Sequence, residues 1–197
     1  MGAAASYGSF GTRRVSVYYS DAAEEPRLSG TIGGTYSGSQ GDFTYYDDRG
    51  TPYNLDDDRE VERANNRSVG GSVLGRLLFI PSSNLRLTLL NITNLDSRGV
   101  PGLGQFQSST AERFSTRSVT QLQLAAPAWI SADTDLSIRV YADYLRQGFD
   151  GQDAEIGLGQ RVTRGDGLAV GGTARVTQFF GDKVRLDGSV DSRHERF

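Results

Sequence analysis

Asp135–Leu145, DLSIRVYADYL, is the stretch whose reading decides the fold. Leu136, Ile138, Val140, Ala142 and Tyr144 alternate there with Ser137, Arg139, Tyr141, Asp143 and Leu145. A period of two marks a strand whose two faces meet different surroundings. Arginine and aspartate on one face require water there, since an ionised group buried without a partner is not tolerated.

The same pattern recurs in both directions along the chain. Toward the N-terminus, Leu122 and Leu124 alternate with Gln121 and Gln123 within Ser118–Ala126, and Leu85, Leu87 and Leu89 flank Arg86 and Thr88. In Ser68–Ile80 one face carries Val69, Val73, Leu77 and Phe79, and in Leu28–Ser37 one carries Leu28, Ile32 and Tyr36. Thr12–Ser20 sets Val15 and Val17 against Arg14 and Ser16. Toward the C-terminus, Ala154–Val162, Leu168–Thr177 and the segment from Val184 to Asp191 repeat it. Pro81–Asn84, Pro127–Thr134, Gly148–Gly151, Arg164–Gly167 and Gly181–Lys183 read as the turns between them. The expectation is about ten antiparallel up-and-down strands with no helix, short turns tending to alternate with longer loops.

Two loops are long. Gly38–Asn66 holds eight carboxylates against three arginines, a net of −5 in a chain whose total is −3. The second loop, residues 96–113, is neutral and glycine-rich. The 197 residues include no cysteine, 25 glycines and only 37% hydrophobics, with 10% aromatics. That rules out disulfides and thiolate chemistry and is lean for a soluble core, whereas a transmembrane barrel needs apolar residues only at alternate positions. Mid-strand Arg76, Arg86, Arg139, Asp143 and Arg175 suit a hydrated lumen, and Tyr19, Tyr36, Phe79, Trp129 and Tyr144 suit interfacial girdles. The N-terminus lacks the basic and apolar regions of a secretory signal, and no apolar run is long enough for a membrane-spanning helix. The fold class expected is therefore an all-β, antiparallel, up-and-down transmembrane β-barrel.

Three stretches carry a family resemblance: ASYGSFGTRRVSVYYS (5–20), SGTIGGTYSGSQGDFTYYDDRGTPYNLDDDREVERANN (29–66) and RLTLLNITNLDSRGVPGLG (86–104). In this order on consecutive strands they resemble TonB-dependent outer-membrane receptors of Gram-negative bacteria, over most of the chain through about Gly159. The resemblance implies a barrel of roughly 22 strands plugged by an N-terminal domain. It also implies uptake of a scarce ligand, such as a ferric siderophore, cobalamin or haem, energised through TonB. Expected partners are outer-membrane lipid and a small-molecule or metal-chelate ligand. The chain shows no TonB box, no plug domain and about half of those strands. Phe197 matches the terminal aromatic of such barrels, but Asp191, Arg193 and Glu195 break the alternation, so the end reads as a truncation and residues 1–197 as a partial, incomplete barrel domain.

Candidate sites fall in the acidic loop. Tyr45, Tyr46 and Tyr53 are loop aromatics able to contact a ligand. Asp47, Asp48, Asp56 and Asp58 are candidate Ca²⁺ ligands, although the spacing is not that of an EF-hand and a solvated, self-repelling loop explains it better. No other cofactor is expected. The lone His194 has no nucleophile arranged around it. Asp143 and Glu155 read as lumen residues rather than a glycosidase pair, and the Gly157–Gly159 and Gly165–Gly167 runs open no helix as a phosphate loop would. Neither enzymatic activity nor nucleic-acid binding is expected. The alternatives are another outer-membrane barrel (a porin or autotransporter translocator) and a soluble carbohydrate-binding β-sandwich.

Overall fold

A computed structural model describes residues 1–21, 27–103, 106–151, 161–181 and 183–197. Nine strands form one sheet: β1 (Gly2–Tyr7), β2 (Arg13–Ser20), β3 (Leu28–Ser39), β6 (Ser68–Ser82), β7 (Leu85–Gly99), β10 (Glu112–Ala126), β11 (Thr134–Gly151), β12 (Arg161–Phe180) and β13 (Val184–Arg196). The remaining four make two small hairpins, β4 (Thr44–Asp47) with β5 (Arg59–Glu62), and β8 (Gly102–Leu103) with β9 (Phe106–Gln107). With the hairpins set aside, neighbours in the sheet are neighbours in sequence and every pairing is antiparallel. The architecture is all-β, up-and-down and open: β1 and β13 each pair on one side only among the described residues. The described strands do not close into a barrel, and the expectation of antiparallel up-and-down strands holds as an open sheet.

The register carries each strand's alternation across the whole sheet. Phe79 pairs with Leu87, Leu87 with Leu124, Leu124 with Ile138, Ile138 with Ala174 and Ala174 with Val190. One row over, Leu78, Thr88, Gln123, Arg139, Thr173 and Asp191 line up in the same way. Residues directly opposite one another share a face, so the sheet has one apolar face and one polar face from edge to edge. A one-residue slip at any pair would put arginines among leucines. Tyr141 reinforces the register: a Cβ on its cross-strand partner Gly171 would lie 2.6 Å from the tyrosine hydroxyl, so only glycine lets the ring lie flat there.

The apolar face has nothing packed on it. Val73, Leu77, Leu89, Leu122, Val140 and Val170 lie on five successive strands of that face and are each 41–50% exposed. The buried apolar side chains among the described residues are Ala111 and Ala126 alone. On β11 the apolar run from Leu136 to Tyr144 extends about 27 Å along the strand. Tilted as in membrane barrels, it spans roughly 20 Å, close to the apolar band of such proteins. Above it the face turns polar, where the Tyr144 hydroxyl donates to Asp166 Oδ1 at 3.2 Å and Arg146 lies 3.8 Å from the same carboxylate. Tyr19, Tyr36, Phe79 and Tyr144 all share the apolar face, and Trp129 lies exposed in the turn after β10.

Several boundaries differ from the sequence expectation. Gly148–Gly151 and Arg164–Gly167 are not turns: β11 runs through the first, β12 through the second, and Gly165 pairs with Gln147. Turn-type residues are tolerated there because both strands continue past the apolar band as one paired hairpin. The expected strand Ala154–Val162 lies largely outside the described residues, and its last two positions belong to β12. Glu155 and Gly157–Gly159 also lie outside them, as does Asp182 of the expected Gly181–Lys183 turn. The sheet therefore has nine strands where about ten were expected, and it includes β1, whose Ala-Ala-Ala run gave no alternation to read.

Candidate ligand-binding loops

The two longest connections among the described residues leave the same end of the sheet. That end carries the acidic segment 40–67 and the segment 100–111 together with the turn at residues 8–12. The other carries the connections 83–84 and 127–133. The long end is organised by side chains and backbone together. Phe10, in the left-handed region at φ 57°, accepts hydrogen bonds from Gln40 N at 2.9 Å and from Ser39 Oγ at 3.0 Å. Its ring meets Phe43 edge-on at 6.1 Å. Asn65, also left-handed at φ 50°, donates through Nδ2 to Ala111 O at 2.7 Å. Gln107 Oε1 accepts from Ala64 N at 2.6 Å, and Arg63 Nη2 donates to Gly102 O at 2.5 Å. Three connections are thus laced into one lobe, with Ser108 and Ala111 buried beneath it.

The acidic segment is not a plain loop, contrary to expectation: residues 44–62 fold back as the β4–β5 hairpin. The second loop is also shorter than expected, because β7 runs to Gly99, β10 starts at Glu112, and β8 and β9 lie between. Alternation along β4 separates the candidate tyrosines. Tyr45 turns inward, its ring 6.4 Å from Phe43 and 5.5 Å from the Arg63 guanidinium, and so packs the lobe together. Tyr46 points outward and donates its hydroxyl to Asp58 Oδ2 at 2.8 Å. That bond, with lesser contributions from desolvation and the Asp58 charge, holds the Tyr46 phenol above its ordinary pKa. Tyr53 is fully exposed at the hairpin tip.

Three of the four candidate carboxylates, Asp47, Asp48 and Asp58, are used locally. Asp47 is buried and accepts Arg49 N at 3.0 Å, and Asp48 accepts Gly50 N at 3.0 Å, each closing a tight turn. Asp57 takes the Thr51 hydroxyl at 2.9 Å, and Asp58 takes Tyr46 while its Oδ1 is buried without a partner. Among the described residues no three His, Cys, Asp or Glu side chains come together as a metal site; Asp47, Asp48, Asp56 and Asp58 are not brought to one point. The residues that organise the lobe, Phe10, Asn65 and Gln107, were not singled out from the sequence. The Asn-Asn pair before β6 was the available signal, since asparagine tolerates the left-handed region.

The polar face offers a second set of groups. Arg117 and Asp143 are joined by two hydrogen bonds, and Thr173 and Thr177 donate to Asp191 and Asp187. Neither the family models nor the curated proteins contain a match to this chain.

Proposed function

We propose that the chain forms barrel wall of an outer-membrane receptor or transporter, with the laced lobe as its outward, ligand-recognising end. The observation that carries this reading is the exposed apolar face backed by a continuous polar one. A soluble protein rarely exposes an apolar surface that runs across many strands, whereas lipid stabilises it and water fills the opposite side. The two longest described connections, 40–67 and 100–111, leave one end, which supports the orientation, since such barrels place long loops outside. A soluble carbohydrate-binding sandwich needs a second sheet over the apolar face, and the described residues supply none.

The finer reading, TonB-energised uptake of a ferric siderophore, cobalamin or haem, rests on the sequence resemblance. Refolding the chain with and without detergent micelles tests the membrane reading. β-structure and heat-modifiable gel mobility only in micelles are expected; a monomeric β-protein in plain buffer would overturn it. Radiolabelled or fluorescent ferric siderophore, cobalamin and haem then test the ligand class.

A further inference from the structure

The apolar face carries one polar island. Asn91 and Thr93 on β7 and Ser118 and Thr120 on β10 share that face, Asn91 pairing in register with Thr120 and Thr93 with Ser118. Leu89 and Leu95 bracket the island along β7, so it lies within the apolar run rather than beyond it. Its hydrogen bonds are nearly closed on themselves. Asn91 Nδ2 donates to Thr120 Oγ1 at 2.8 Å and to Ser118 Oγ at 3.3 Å. Thr93 Oγ1 donates to Asn91 Oδ1 at 3.1 Å, so the 2.9 Å contact between Thr93 and Ser118 takes its hydrogen from the serine. A hydroxyl carries one hydrogen and an amide oxygen two lone pairs. That leaves the Thr120 hydrogen without an acceptor among the described residues, and one lone pair open on Asn91 Oδ1. Thr120 is exposed. In lipid an unmatched donor is costly unless another chain meets it.

The surroundings of the island admit a neighbour. Gly75 lies beside Asn91 and Ala142 beside Thr120, and a Cβ on Gly75 would meet nothing within 4 Å. Leu77, Leu89, Leu122 and Val140 form the next row, so the smaller residues make a shallow trough across four strands. We infer that this trough seats a second copy of the chain, held the same way up, through a two-fold contact in which each Thr120 hydroxyl donates to the partner subunit's Asn91 Oδ1. One open donor and one open acceptor on adjacent strands are self-complementary, as an isologous contact requires. Small residues let two backbones approach, and hydroxyl and amide side chains bond across the contact, as between membrane helices. A lipid ester carbonyl accepts the Thr120 hydrogen but offers nothing to Asn91. The contact uses the face of the sheet and is separate from any pairing at the β1 and β13 edges. It rests on the reading of that face as lipid-facing.

Sedimentation equilibrium of the full chain in density-matched zwitterionic micelles reads self-association, with β-structure recorded by circular dichroism on the same samples. A dimer is expected. T120V removes the open donor from both copies, two bonds per dimer, and should weaken association roughly tenfold. T120S keeps a hydroxyl and should associate as the parent does. So should T116V, which makes the same change on the same face outside the island. A folded parent that stays monomeric, or a dimer equally tight in T120V, overturns this contact alone. The first result leaves lipid over Thr120, and the second points to pairing at the sheet edges. Failure to gain β-structure in micelles overturns the membrane reading and the contact with it.

Discussion

Arg117 and Asp143 face each other across β10 and β11 as a bidentate pair, Nε to Oδ1 at 3.0 Å and Nη2 to Oδ2 at 2.6 Å. Asp143 is the more enclosed partner, with its side chain 20% exposed against 58% for Arg117. The pair is diagonal in the register, so it ties two strands at the middle of the polar face. Water on that face screens it. A double-mutant cycle with R117Q and D143N in micelles should give a coupling of about 1 kcal/mol or less. A coupling of several kcal/mol would mean that the polar face is dry.

Consecutive residues Arg139 and Val140 should behave as opposites. The chain has no cysteine, so single cysteines can be placed without background. In vesicles, a probe on V140C should be quenched by lipid-borne bromine and resist charged thiol reagents, while R139C reacts with those reagents and escapes quenching. The same response from both positions would sink the two-faced assignment.

Tyr46 gives the outward lobe a titratable marker. Its phenol is held above the ordinary value of about 10, first by the hydrogen bond to Asp58. Because the folded pKa is the raised one, the bond is intact below the unfolded pKa and is lost as pH climbs through the folded one. Ultraviolet difference titration of the parent against Y46F should show one late-titrating tyrosine. D58N should move that tyrosine to lower pH; an unchanged titration would dissociate the two residues.

Asn65 is the joint between the acidic segment and the loop after β7. N65A removes the donor to Ala111 O and leaves a left-handed backbone on a residue that disfavours it. The expected cost is about 1–3 kcal/mol within the lobe. It should appear as faster protease cleavage between residues 40 and 67 with unchanged β-content. Cleavage at the parent's rate would show that the lobe does not depend on this joint.

The sheet was legible because its two faces differ in polarity. Leu136–Tyr144 alternates cleanly since every second side chain leaves the polar side, and that logic extended correctly to β3, β6, β12 and β13. It failed where alternation stops carrying information. β1 is too rich in small residues to show a face, and Gly165 and Gly167 look like a turn unless one knows that Gln147 and Leu145 lie opposite. Within the acidic segment, Tyr45 and Tyr46 looked equivalent. Only the β4–β5 pairing reveals that one packs on Phe43 and Arg63 while the other meets water. The hydrogen bonds that join these connections link residues 29 to 46 positions apart, a range at which local pattern is silent.

The parity of the sheet restricts what can complete it. Nine alternating strands leave β1 and β13 running in the same direction. Joining those two edges directly would make a parallel seam in an otherwise antiparallel wall. A second copy held the same way up meets the same obstacle at both seams, and an inverted copy would put the two acidic lobes at opposite ends of the wall. An all-antiparallel ring containing this sheet, with its lobes on one side, therefore needs an odd number of further strands between β13 and β1.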